Sequence, residues 1–132
     1  MRGLDSYREN RLFSAPNEQV VVMLFEMVIT RLESARAAMQ SGERGHRIRV
    51  AEDFATVRTI YLELHGALDP EVAPELVQNL SLTYRWVVRR LGDLSRDHDV
   101  EGVNGLLRVS QNLLEAFRHA AEHANDDVEG TG

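Results

Sequence analysis

The chain has 132 residues, 43% of them apolar and 27% charged, with a net charge of −6 and no Cys. That is one domain's worth of core, too apolar for a disordered chain, and it excludes disulfides, thiolate metal sites and Cys nucleophiles. All 15 basic residues are Arg, scattered among acids, which argues against a phosphate-backbone track and hence against nucleic acid as a partner.

Residues 1–15 read as an N-terminal arm without a clean helical period. Met1 to Ser14 is polar and mixed in charge, unlike a signal peptide, and the longest apolar run, Val20 to Phe25, is far short of a membrane span. The expectation is a soluble cytoplasmic protein with no membrane insertion. A first helix is predicted from Pro16 or Asn17 to about Gln40. Val21, Leu24, Val28, Leu32, Ala35 and Met39 recur at spacings of three and four, and Phe25 and Ile29 widen that face. Ser41-Gly42-Glu43-Arg44-Gly45 breaks it. The second helix carries Val50, Phe54, Val57, Tyr61, Leu64 and Leu68, and Leu68-Asp69-Pro70 stops it.

Ala73-Pro74-Glu75 opens the third helix, whose stripe is Leu76, Leu80, Tyr84, Val87, Leu91 and Leu94. Ser95 to Asp99 reads as a polar turn, with Asp99 as the cap of the fourth helix. That helix carries Val103, Leu107, Ser110, Leu114, Phe117 and Ala121, and residues 125–132 read as a disordered acidic tail. Gly102 and Gly105 weaken its start by up to ~1 kcal/mol each relative to Ala, and would permit a close helix approach.

Four helices of similar length joined by short loops predict an all-α fold, an antiparallel up-down four-helix bundle over residues 16–124. Helix one is apolar around more of its circumference than such packing requires, through Val20, Val21, Val22, Met23, Leu24 and Phe25. Helix two has a secondary row in Ile48, Ala51, Ala55 and Leu62. Extra apolar surface of this kind is either deep burial or a groove for a foreign helix.

The residues supply little chemistry. Paired Glu-x-x-His elements for a carboxylate-bridged metal pair are missing. His119 and His123 stand one turn apart and could chelate a metal, yet two His at a helix end read first as ordinary surface. His65 lacks the surroundings of a phosphotransfer histidine, since Gly66 follows it and no Lys comes after. No catalytic residue, cofactor or metal is expected, and the chain is read as a non-enzyme.

Leu68-Asp69, Glu75, Asn79-Leu80-Ser81, Tyr84-Arg85-Trp86-Val87-Val88-Arg89-Arg90-Leu91 and Asp99 together resemble the signature of the FliS family of flagellin-specific export chaperones. Tyr7, Ser14-Ala15-Pro16 and Met23-Leu24-Phe25-Glu26 resemble that family's Tyr-bearing arm, helix start and Met-Leu-aromatic-acid motif. Departures include Thr83 before the Tyr, Trp86 for a second Tyr and Phe117 for a Trp. The resemblance implies a cytosolic chaperone that binds the disordered C-terminal helices of flagellin, prevents premature polymerisation and aids type III export. Export-gate components are further implied partners, and the state is monomer or weak homodimer. On this reading Tyr7, Phe25, Val28, Leu64, Asn79, Leu80, Tyr84, Arg90 and Leu91 contact the client. A helical adaptor for another secreted or regulatory protein is the alternative.

Overall fold

A computed structural model describes the backbone of residues 15–131 and the side chains of residues 18–123. It contains four helices: α1 (Ala15–Ser41), α2 (His46–Gly66), α3 (Pro74–Asp97) and α4 (Val100–Thr131), with no strand among the described residues. The expected arm, and Tyr7 on it, fall outside this range. Short connections force consecutive helices antiparallel. α1 lies between α2 and α4, and α3 lies between α2 and, over a much shorter stretch, α4.

Local chemistry accounts for the helix ends. Gly42 (φ 63°) and Gly45 (φ 83°) both take left-handed backbone in the α1–α2 turn, where a side chain would be strained. α2 ends at Gly66, two residues before the predicted Leu68 stop, and the Ala67 N–H bonds back to the Glu63 carbonyl at 3.1 Å. α3 continues through the predicted turn at Ser95, whose hydroxyl folds back to donate to the Leu91 carbonyl at 2.9 Å and so is satisfied within the helix. His98 then terminates it in left-handed backbone (φ 48°), donating its N–H to the Leu94 carbonyl. Asp99 caps α4 as expected, its Oδ1 accepting the Glu101 N–H at 3.1 Å. α4 runs on to Thr131, past the predicted boundary at 124, since no Gly or Pro interrupts residues 125–129.

Most residues of the predicted stripes build the core, joined by Leu106, while Leu24, Met39 and Leu68 are only partly buried against it. Val21, Val28, Leu32, Val57, Val87, Leu94, Val103 and Leu106 are all at most 2% exposed. Leu76 was expected inside but stands 48% exposed, and Val77 takes the core position one residue later. At the centre four aromatics, one from each helix, meet. Phe25 stacks on Phe117 with centroids 5.5 Å apart and meets the edge of Tyr61 at 5.9 Å, while Tyr61 and Tyr84 pack edge to face at 5.5 Å. The buried Tyr61 hydroxyl and Ser110 Oγ share a hydrogen bond of 2.7 Å, which explains a Ser on the inward face of α4.

Gly102 and Gly105 have different environments. A Cβ at Gly102 would overlap the fully buried Leu94 side chain and come within 2.9 Å of Arg90 Nη2, so this Gly lets α3 and α4 converge beside their turn. At Gly105 the nearest atom is Arg108 Nη2 at 3.8 Å. Gly105→Ala should therefore stabilise the fold by about 0.5–1 kcal/mol through helix propensity. Gly102→Ala should destabilise it by about 1–3 kcal/mol despite the same propensity gain. Urea midpoints of the two variants should move in opposite directions.

Candidate functional site

A few cross-links show how each helix is turned. On α1, Arg31 Nη1 reaches Asp53 of α2 at 3.2 Å, while Arg36 Nη1 donates to Asn104 Oδ1 of α4 at 2.9 Å. Arg118 of α4 lies 3.8 Å from Glu26 of α1. On α3, Ser81 Oγ is 2.8 Å from His65 Nε2 of α2, and Arg90 is 3.9 Å from Asp99 at the head of α4. These contacts assign each flank a neighbour, and what remains faces outward.

Apolar side chains are left over on three helices, and on α2 they are Ile48 and Leu62 of the expected secondary row, 66% and 45% exposed. On α1, Val20, Met23 and Met27 follow at i, i+3 and i+7 and are 48%, 66% and 47% exposed. On α3, Leu76, Leu82 and Trp86 are each at least 42% exposed. Leu76, Thr83 and Arg90 recur every seven residues on the flank that Arg90 turns toward α4. The flank of α4 opposite Arg118 and Asn104, carrying Val109, Leu113, Ala116 and Ala120, turns toward α3. This α3–α4 seam is the most thinly packed in the bundle. A concavity of about 400 Å³ opens at the other side of α4, with Val22, Met23 and Ala121 in its wall and Arg118 and Glu122 on its rim.

The residues expected to contact a partner divide sharply. Phe25, Val28, Leu64, Tyr84 and Leu91 are at most 3% exposed, and Leu80 is 8% exposed. All six pack in the core because they occupy the inward stripes that close the bundle. Asn79 is exposed on α3, between Leu76 and Trp86 along the outer flank. Arg90 is partly exposed at the α3–α4 turn, within 4.0 Å of Asp93 and 3.9 Å of Asp99. Tyr7 lies outside the described residues. Sequence reasoning overlooked Met27 and Leu82 as surface residues, whose signal was an apolar side chain set off the dominant stripe, and placed Leu76 on the stripe itself.

Burial pushes the Tyr61 phenol well above its ordinary range, and burial together with Tyr61 does the same to Tyr84. Both sit inside the core, away from any opening. His65, half-buried near the end of α2, is tied to Ser81. No group of three or more His, Cys, Asp or Glu side chains converges among the described residues. Nor is any helix among them long and apolar enough to cross a membrane.

Glu18, in the first turn of α1, is 7% exposed with Oε2 lacking a hydrogen bond, and burial raises its carboxyl above the ordinary value of 4.5. The folded state thus binds this proton more tightly than the unfolded chain, so its contribution falls as pH rises through the raised value. Glu18→Gln should raise the thermal midpoint at pH 7, and the gain over the parent should vanish below pH ~4. Melting curves across that range measure it.

The family model described as "Flagellar protein FliS" matches residues 1–124. The flagellar secretion chaperone FliS of Escherichia coli (strain K12) is 30% identical over 113 residues, covering 85% of this chain and 81% of that protein. The protein of the same name in Campylobacter jejuni is 23% identical over 124 residues, covering 94% and 93%. The one from Salmonella typhimurium is 27% identical over 120 residues, covering 89% and 85%.

Proposed function

The chain belongs to the FliS family, and on that premise we propose that it is a cytoplasmic export chaperone of the flagellar secretion system. Its client is the disordered C-terminal segment of flagellin, bound as amphipathic helices and so kept from polymerising before export. The observation that carries this reading is the exposed apolar row Val20-Met23-Met27 on α1 and the exposed i, i+4 pair Leu82 and Trp86 on α3, on a bundle whose core is closed by the inward stripes.

The α1 row, at i, i+3 and i+7, matches the spacing by which an amphipathic helix lays its apolar face against another. Met side chains are unbranched and adapt to irregular partners, which suits a client that arrives without fixed structure. Trp86 supplies a large rigid anchor. Asn79 stands exposed beside it and would hydrogen-bond client backbone, while Arg90 would meet acidic groups of the client or its helix-end carbonyls. The buried members, Phe25, Val28, Leu64, Leu80, Tyr84 and Leu91, act by holding the helices that present these residues. Tyr7 is proposed as an arm contact that the client displaces. Ordering the client consumes part of the contact energy, which favours reversible capture and release at the export gate.

A peptide spanning flagellin's C-terminal segment should bind the chain saturably and raise helical circular dichroism beyond the sum of the parts. Full burial of one apolar anchor is worth about 1.5–3 kcal/mol, so Trp86→Ala and the double change Met23→Ser, Met27→Ser should each weaken binding at least ~10-fold. All three residues are exposed, so the fold should survive. Binding without gain in helix would overturn client folding, and affinity unchanged in both variants would overturn these surfaces. No binding at all would leave the alternative of an adaptor for another secreted protein.

A further inference from the structure

The last described turns of α4 carry His119-Ala120-Ala121-Glu122-His123, two imidazoles four residues apart and therefore on one helix face. Both are exposed, and their ring centroids lie 3.9 Å apart at an interplanar angle of 40°. His123 Nδ1 is 2.9 Å from the His119 carbonyl oxygen. A carbonyl only accepts, so Nδ1 holds the proton of the neutral ring and Nε2 keeps its lone pair turned away from the backbone. The same arrangement, one ring nitrogen donating to a carbonyl while the other is free, orients and tautomerises histidines that ligate metals. The function proposed above leaves these two residues without a role.

Their neighbours define the donor set. Glu115, one turn earlier, is engaged by Arg118 at 3.1 Å, and Glu122 lies on the rim of the α1–α4 concavity. Two nitrogen donors remain, with water or a partner's ligand completing the shell. That is too few for a closed structural zinc site, but enough for a chelate, and imidazole donors suit Zn, Cu and Ni. The other histidine pair, His46 at the start of α2 and His98 at the end of α3, has its centroids farther apart, at 6.1 Å.

We propose that His119 and His123 form a two-nitrogen chelate for a divalent first-row transition metal, which clips the turn of α4 between them. The tag-free full chain, titrated with nickel chloride in a calorimeter, should bind one Ni²⁺ per chain and melt at a higher temperature with the ion present. His119→Ala and His123→Ala should each lower the affinity by about 100-fold, because the second ligand then no longer acts intramolecularly. Both should also lose the melting shift. His46→Ala should change neither readout. Absence of saturable Ni²⁺ binding overturns the proposal, as does binding that survives both substitutions or is lost in His46→Ala.

Discussion

Phe25 is the contact on which the remainder of the bundle depends. It is fully buried, stacks on Phe117 of α4, meets the edge of Tyr61 of α2, and lies 6.4 Å from Tyr84 of α3. A single side chain of α1 thereby touches every other helix. Aromatic pairs in offset or edge-on geometry add about 0.5–1.5 kcal/mol each beyond the area they bury. Two such pairs and the tilted contact with Tyr84 around one ring restrict the rotation of all four helices together. The Tyr61–Ser110 hydrogen bond ties α2 to α4 across the same point, so polar satisfaction and ring packing require one register.

That register decides which side chains are left outside. With the inward stripes engaged, α1 turns Val20, Met23 and Met27 to solvent, and α3 turns out Leu82 and Trp86. The four seams are unequal. α1 packs along α2 and α4, whereas α3 and α4 pack over a much shorter stretch, with a close approach beside Gly102.

Charge plays a secondary part in stability. Asp53 is 1% exposed and its Oδ1 accepts from Arg31, yet Oδ2 has no hydrogen bond and Arg31 is half in water. A buried carboxylate with one partner is weak evidence for stability, and the pair serves better as a register pin between α1 and α2. The remaining ion pairs, such as Arg96 with Asp93 and Arg118 with Glu115, lie at the surface and contribute little.

The sequence by itself determined the four helices, the Asp99 cap, the Gly42–Gly45 break and nearly every core position, because periodicity and capping are local and repeat within a few residues. The family, too, was legible from the motifs on α1 and α3. Tertiary structure alone decided which motif residues face outward. Leu80, Tyr84 and Leu91 looked like contact residues and are core, whereas Leu76 looked like core and is surface. The difference between Leu76 and Val77 is a rotation of about 100° about one helix axis. That rotation follows from how Phe25, Tyr61, Tyr84 and Phe117 pack, and no spacing along a single helix encodes it. The close pass at Gly102 and the imidazole geometry at His119 and His123 likewise needed atoms in place, since both depend on distances between residues that sequence patterns only bring near.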